Sequence, residues 1–120
     1  MAAKDALGRR GEALAAAYLE GAGYDIVDRN WRCPQGEIDI VAQKSGILVF
    51  AEVKTRSGTG FGHPLQAVTP VKLARLRRLA GAWLDAHPGS RFSRNIRIDV
   101  IAVLAPRGGP VAIEHLEQVF

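Results

Sequence analysis

Two carboxylates and a lysine stand on neighbouring strand-like segments, and they are the residues of this chain best suited to chemistry. Asp39 belongs to the segment GEIDIV, and Glu52 and Lys54 belong to FAEVK. Because residues two apart on a strand point the same way, Glu52 and Lys54 share a face. Gly46 lets the chain fold back between the segments and bring Asp39 onto the same sheet. Two acids and a lysine at a strand end can hold a divalent cation and a water beside a phosphodiester, as a nuclease does.

Mg²⁺ is the expected cofactor of this group, with Mn²⁺ as the other candidate, because Mg²⁺ prefers oxygen ligands and keeps several waters. Asp39, Glu52 and the Val53 carbonyl could supply such ligands. The cation would acidify a water and neutralise charge in the transition state, while Lys54 would orient or deprotonate that water or stabilise the phosphate. Two acids about 5 Å apart repel by roughly 3 kcal/mol at an effective dielectric constant near 20, so they need a cation, a lysine or a raised pKa.

An ordinary ion pair is the alternative interpretation of Glu52 and Lys54, since acid-x-Lys triplets are common at strand ends. Asp39 on the preceding strand and Glu12 on the preceding helix make the metal site the better interpretation.

Helices and strands that could position these residues follow from hydrophobic periodicity and from glycine and proline punctuation. Helices are expected over Lys4–Glu20 and from Thr69 to about Ala86, and strands over Tyr24–Asn30, Glu37–Gln43, Ile47–Lys54, Asn95–Val103 and Val111–His115. The order, αβββαββ, predicts a single α/β domain over residues 1–120, with a mixed central sheet flanked by helices.

The second and third strands determine which residues share a face of that sheet. Alternation within Glu37–Gln43 places Ile38, Ile40 and Ala42 on one face, and the two acids with Val41 on the other. The third strand is almost wholly apolar before its acid, which is typical of a central strand covered on both faces. The last strand is expected at an edge.

Composition bounds the class of protein. The chain has 120 residues, 48% of them hydrophobic and 23% charged, which is typical of a globular domain. No apolar run approaches the roughly 20 residues of a membrane span, and the first residues lack the apolar stretch of a secretory signal. A cytoplasmic protein without a membrane partner is expected. Cys33, the single cysteine, excludes an internal disulfide and a cysteine-based zinc site and is expected in a loop.

The combined motifs resemble a known nuclease superfamily. An N-terminal helix with a Glu, an Asp before a hairpin and Glu-x-Lys on the next strand are similar to the PD-(D/E)xK nucleases, whose core runs helix, three strands, helix, strand. More closely, Gly11-Glu12, GEIDI, FAEVKTR and the QAV approach to the second helix resemble the YraN family, small bacterial proteins predicted to be endonucleases and similar to archaeal Holliday junction resolvases. The resemblance covers nearly the whole chain and implies a restriction endonuclease-like fold. Ile38 stands where the superfamily's name has a proline.

The resemblance also implies roles for individual residues. Asp39 and Glu52 correspond to metal ligands, Lys54 to the catalytic lysine, and Glu12 to a helix glutamate that joins the metal site, often through water. Gln66 falls loosely where some relatives have a polar residue. The expected catalytic residues are therefore Glu12, Asp39, Glu52 and Lys54, of which the three acids are the expected metal ligands.

Glu37 shares a strand face with Asp39. Two interpretations are equally open: a further ligand or supporting group of the metal site, or an exposed acid after a turn.

A basic excess favours a polyanionic partner, here DNA. The formal net charge is +4, from 16 Lys and Arg against 12 Asp and Glu. The expected DNA-contacting residues neutralise phosphates without reading bases; they are Arg9, Arg10, Arg29, Arg32 and Arg56 around the acids, with Lys72 and Arg75 on the second helix. For the helix pair, together with Arg78, a merely solvated face is an equal alternative.

Other polar and aromatic residues are expected to be structural. Asp99 should form an ion pair with Arg97, and the three histidines, His115 among them, should lie at the surface. Trp31 is expected in a partly buried loop and Trp83 in the core. Phe61, in a glycine-rich loop near the site, could stack on a base, although packing on the core is the more ordinary role.

A metal-dependent DNA endonuclease acting on branched or damaged DNA is the function these observations favour. The alternative is a non-catalytic nucleic-acid-binding adaptor on the same fold. A resolvase cuts two strands and needs two active sites, so the analogy also implies a homodimer.

Overall fold

Two helices and five strands make up the part of the fold that the structure describes. The computed structural model describes residues 3–58, 68–89 and 95–119. Its elements are α1 (Ala3–Gly21), β1 (Asp25–Cys33), β2 (Gly36–Lys44), β3 (Ile47–Arg56), α2 (Pro70–Ala86), β4 (Ile96–Leu104) and β5 (Ala112–Leu116). This order confirms the expected α/β domain. No helix in the described ranges is long and apolar enough to cross a membrane.

All five strands form one mixed sheet in the order β1-β2-β3-β4-β5. The pairs β1–β2, β2–β3 and β4–β5 are antiparallel, and β3–β4 is parallel. A parallel pair requires a crossover connection, and the chain from β3 to β4 contains α2. In this strand order β3 lies at the centre of the sheet, and β5 lies at an edge as expected.

Tight hairpins join the first three strands and hold the acids of β2 close to Glu52, the acid of β3. Lys44 pairs with Ile47, so Ser45 and Gly46 alone form the second turn. Both have positive φ, 54° and 78°, which is the requirement of a type I′ hairpin whose twist matches that of its strands. The glycine therefore does what the sequence predicted: it folds β3 back on β2.

Each face of the sheet carries one hydrophobic core. On the α1 face, Ala15 and Leu19 pack with Ile40, Val49 and Ile101. All five side chains are fully buried. Burial of this set fixes the helix against the middle three strands. It also fixes the position of the N-terminal half of α1, where Glu12 lies.

The α2 face is packed by larger side chains. Leu79 and Trp83 of α2 contact a cluster that includes Leu48, Phe50 and Ile98, and Trp83 lies in the core as predicted. Successive β3 residues thus alternate between the two cores, which confirms β3 as a central strand covered on both faces.

β1 is longer than predicted and changes the setting of two residues. Trp31 and Cys33 were expected in a loop, but both belong to β1, and both are half-buried against the α2-side core. The prediction stopped at Asn30 because three polar residues end its apolar pattern. β1 continues because pairing with β2 stabilises it independently of that pattern.

Ile38 also departs from the predicted alternation. It packs in the α2-side core with Val41, whereas Ile40 packs in the α1-side core. Residues two apart on a regular strand would share a face, so β2 is irregular at the intervening residue, Asp39. The irregularity is matched across the hairpin, where the β1–β2 register passes over Asn30, which has a φ of 53°.

Candidate metal centre

Asp39 lies where β2 separates from β3. Backbone pairing between these strands ends at Ile40 and Ala51. Beyond that point an Asp39 carboxylate oxygen accepts a hydrogen bond of 2.8 Å from the backbone N–H of Val53. The side chain thus replaces the β2 backbone acceptor that the Val53 N–H would otherwise have. The same hydrogen bond holds the carboxylate in one position at the opening of the sheet.

Glu12 reaches the same place because α1 packs very closely on β3. At Gly11 an added Cβ would stand only 1.8 Å from the Oγ1 of Thr55, far inside any real contact, so no side chain fits. Gly11 is buried. Glycine therefore lets the helix backbone lie against β3 and carry Glu12, the next residue, to the opening beside Asp39.

Three carboxylates meet at this opening. One oxygen from each of Glu12, Glu37 and Asp39 lies within 4.8 Å of those of the other two, and all three residues are half-buried. We call these three residues the acid cluster. Glu37, for which the sequence left two interpretations equally open, is therefore a member of the group and not an isolated acid after a turn.

The protonation of Asp39 is strongly perturbed. Burial raises its pKa from 3.8 to about 6; the hydrogen bond from Val53 opposes that rise, and the charges of Glu12, Glu52 and Glu37 add to it. The ionised carboxylate of Asp39 is therefore disfavoured mainly by its burial, and further by the three neighbouring acids.

The pKa of Glu12 is also raised. Burial is the largest cause, followed by the charge of Glu37, while Arg29, Asn30 and Arg32 act in the opposite direction. The acid cluster therefore concentrates negative charge that nearby arginines only partly offset.

Glu52 lies close enough to raise the pKa of Asp39, but its carboxylate is already engaged. Arg75 of α2 donates a hydrogen bond of 3.1 Å to one Glu52 oxygen, and the Lys54 ammonium lies 3.8 Å from the other. The structure thus brings Glu52 and Lys54 together as the sequence predicted. It adds Arg75, for which the sequence left a DNA contact and a solvated helix face equally open.

A divalent cation fits the donor set. Mg²⁺ and Mn²⁺ are bound by carboxylate oxygens, and the acid cluster offers three of these on separate elements, β2 contributing two and α1 one. Burial, and to a smaller extent the neighbouring carboxylates, make the ionised form of Asp39 unfavourable, and a bound cation would offset that cost. Glu12, Glu37 and Asp39 are accordingly the residues that could hold a metal.

The other basic residues of the predicted DNA rim lie at different distances from the acids. Arg29 and Arg32 are close enough to lower the pKa of Glu12. Arg9 and Arg10 are exposed on α1. Arg56 is half-buried and donates to the Thr55 carbonyl at 3.3 Å.

On α2, Lys72 is half-buried in the first turn and Arg78 is exposed. Gln66, Phe61 and His63, together with most of the glycine-rich loop, lie outside the described residues.

A second polar network lies at the opposite edge of the sheet, away from the acid cluster. Asp99 is fully buried and accepts from the Arg97 guanidinium at 2.9 and 2.8 Å, which confirms the predicted ion pair. His115 was expected at the surface, but its side chain is only 8% exposed and lies 2.6 Å from Asp99. Its other ring nitrogen lies 3.0 Å from the Tyr18 hydroxyl.

This network ties α1, β4 and β5 together. Burial raises the pKa of the Asp99 carboxyl. Hydrogen bonds from His115, Arg97 and the Gln118 N–H outweigh that effect and bring the pKa below its ordinary value. The carboxylate is therefore well satisfied, and its role is structural. Sequence could not pair His115 with Asp99, because the two are 16 residues apart on separate strands.

Comparison with known proteins gives one family. A model described as "Uncharacterised protein family UPF0102" matches residues 11–103. That range begins at Gly11 and ends in β4, so it includes the acid cluster, Glu52 and Lys54.

Relatives match along nearly the whole chain. A UPF0102 protein of Beutenbergia cavernae is 56% identical over 119 residues, covering 99% of both chains. UPF0102 proteins of an Arthrobacter species and of Streptomyces griseus are 57% and 55% identical, again over 119 residues and 99% of both chains.

Proposed function

The chain belongs to the uncharacterised protein family UPF0102, and within that family we propose that it is a metal-dependent endonuclease that hydrolyses phosphodiester bonds of DNA. The observation that carries the proposal is the acid cluster at the opening between β2 and β3, with Glu52 and Lys54 on the adjoining strand. The resemblance of Glu12, Asp39, Glu52 and Lys54 to the site residues of PD-(D/E)xK nucleases also supports the proposal.

Each residue of the site has a role in this proposal. Glu12, Glu37 and Asp39 would hold a Mg²⁺ or Mn²⁺ ion, which when bound acidifies a water and offsets the charge of the phosphoryl transition state. The Val53 N–H keeps Asp39 aimed at the opening. Lys54 presents an ammonium group beside Glu52, where it would orient the attacking water or stabilise a phosphate oxygen.

DNA would approach across the basic residues around the acids. Arg29 and Arg32 lie beside the acid cluster, and Arg75 lies beside Glu52. In the proposal these side chains neutralise backbone phosphates, so affinity for DNA should fall steeply with salt. We place this activity in the cytoplasm, on branched or damaged DNA, with a homodimer supplying two sites for two strands.

Cleavage of labelled four-way-junction, flap, single-stranded and duplex DNA, with Mg²⁺, Mn²⁺ or EDTA, tests the proposal. We expect cleavage with either metal, none with EDTA, and loss of at least a hundredfold in Asp39→Asn and Lys54→Ala. Asp85→Asn, which changes an exposed acid of α2, is the matched control and should cut like the parent protein. Cleavage that persists in EDTA, or that Asp39→Asn leaves intact, would contradict the proposed site.

A DNA-binding adaptor without catalysis is the second candidate, favoured by the ion pairs that already occupy Glu52. Salt-sensitive DNA binding with no cleavage under any metal would support the adaptor and reject the endonuclease. Cleavage and salt-dependent binding, measured on the same labelled DNAs, thus distinguish the two functions.

A further inference from the structure

Glu37 takes part in two arrangements at once. Its carboxylate belongs to the acid cluster, and one of its oxygens lies 2.9 Å from the Nε of Arg32. Arg32 and Glu37 are paired across the first hairpin, one step from its closing pair Cys33–Gly36. The backbone of this short hairpin fixes where both side chains begin, so contact between them can be made or broken by side-chain rotation alone.

The two partners differ in exposure. The Arg32 side chain is 80% exposed and the Glu37 side chain 33% exposed. Ion pairs with so exposed a partner are weak, because solvent screens them and a long side chain must be held in place. Glu37 can therefore exchange Arg32 for another cation at little cost.

A surface cavity of about 410 Å³ lies at the same hairpin, lined by residues 32–37. Arg32 and Glu37 both line it, and Glu37 connects it to the acid cluster. It is a shallow, open depression, so a phosphate group of a larger ligand could reach both side chains from solvent. Arginine is well suited to phosphate because its planar guanidinium can donate two parallel hydrogen bonds.

We propose that Arg32 is a phosphate-binding residue that Glu37 holds in the absence of metal, and that a divalent cation in the acid cluster takes Glu37 and frees Arg32 for a DNA phosphate at this cavity. The proposal rests on the metal site of the proposed function and adds a coupling within it. Because coupling between two ligands is reciprocal, the cation should strengthen DNA binding and DNA should strengthen cation binding by the same factor.

Calorimetric titration of Mn²⁺ without DNA tests the exchange on its own. Arg32→Gln should bind Mn²⁺ two- to fivefold more tightly than the parent, since the cation no longer competes with a weak ion pair. Arg29→Gln is the matched control: Arg29 is also exposed on β1 and also lowers the pKa of Glu12. An equal gain in Mn²⁺ affinity in both variants would mean that general charge repulsion explains the effect, and it would overturn the exchange. No gain in Mn²⁺ affinity in Arg32→Gln would also overturn it.

DNA binding provides the second arm. With a labelled duplex, Ca²⁺ as the cation and intact DNA verified in the same samples, the parent should bind DNA more tightly when Ca²⁺ is present at constant ionic strength. Arg32→Gln should lose most of this tightening, whereas Arg107→Gln, exposed in the turn after β4, should keep it. Equal weakening of Arg32→Gln with and without Ca²⁺ would show an ordinary phosphate contact and contradict the exchange.

Cys33 gives an independent readout of the cavity, because it is the single cysteine of the chain and lines the same space. Duplex DNA with Ca²⁺ should slow alkylation of its thiol at least threefold, and DNA in EDTA should slow it less. Equal protection in both conditions would overturn the coupling.

Failure of this inference is distinguishable from failure of the proposed function. A protein that binds Mn²⁺ and cleaves DNA, yet shows equal effects of Arg32→Gln and Arg29→Gln, would keep the endonuclease and lose the exchange. A protein that binds no Mn²⁺ would lose both.

Discussion

Replacing Asp39 with asparagine should stabilise this protein at neutral pH, although it removes a residue of the proposed active site. The folded-state pKa is about 6 against 3.8 for the ordinary group. The difference, 6 − 3.8 = 2.2 units, corresponds at about 1.36 kcal/mol per unit to an upper bound of about 3 kcal/mol. Asparagine keeps an oxygen for the Val53 N–H but loses the stronger, charge-assisted bond, so we expect a gain of about 1–2 kcal/mol.

The sign of the pH dependence follows from which state binds the proton more tightly. Below pH 3.8 Asp39 is protonated in both the folded and the unfolded state, so its ionisation does not lower the free energy of unfolding. As pH rises from 3.8 to about 6 the unfolded state releases its proton first, so the folded state loses stability, and above that range the loss is complete. The advantage of Asp39→Asn should therefore be full at pH 7 and small near pH 4.

Urea unfolding at pH 4 and pH 7, followed by circular dichroism, measures both quantities. Asp85→Asn, at an exposed position of α2, controls for the loss of an acid as such and should change stability by less than about 0.5 kcal/mol. Adding Mn²⁺ at pH 7 should stabilise the parent and not Asp39→Asn, because only the parent retains the full ligand set. A destabilised Asp39→Asn at pH 7, or an equal gain at both pH values, would refute the electrostatic reasoning.

Three further substitutions test how the scaffold supports the site. Gly11→Ala should cost about 1–3 kcal/mol in urea unfolding, since its Cβ would collide with Thr55. It should also weaken Mn²⁺ binding in calorimetry by moving α1 away from β3 at Glu12. Unchanged Mn²⁺ affinity would argue that the close packing does not position the acid cluster. Asp99→Asn should cost about 3–5 kcal/mol, because it removes the fully buried charge that pairs with the Arg97 guanidinium. A loss below 1 kcal/mol would contradict a structural role. Thr69→Ala should cost about 1 kcal/mol by removing the N-cap that accepts from the Lys72 N–H, with thermal melting as the measurement, and no change would show that the start of α2 is held by other contacts.

The order of elements could be predicted from sequence because its signals are local. The Ser45-Gly46 turn and the N-cap Thr69 with Pro70 mark element boundaries by their own backbone chemistry. The apolar residues of β3 alternate to both faces, which indicates a central strand. Each of these features depends on residues within a few positions of one another, so periodicity and turn chemistry are sufficient to locate them.

The candidate site was predictable only in part. Asp39, Glu52 and Lys54 stand out by type and spacing, and their nearness in the structure follows from one hairpin. Glu37 joins Glu12 and Asp39 because of where β2 separates from β3. Glu52 is instead held by Arg75 because of how α2 lies across the sheet. Neither feature leaves a local pattern in the sequence.

The misplaced residues were missed for a similar reason. β2 changes its alternation at Asp39, so Ile38 packs against α2 and not against α1. His115 is buried because Asp99, on a different strand, provides its hydrogen-bond partner. In both cases tertiary contacts override what alternation and residue type indicate.

A crystal soaked in Mn²⁺ and measured at the manganese absorption edge tests the central claim most directly, because it locates the cation independently of activity. We expect one anomalous peak within bonding distance of carboxylate oxygens of Asp39 and of at least one of Glu12 and Glu37. The peak should be absent from Asp39→Asn crystals soaked in the same way. No peak among these acids, in crystals where the site is open to solvent, would contradict the claim that the acid cluster is a metal centre.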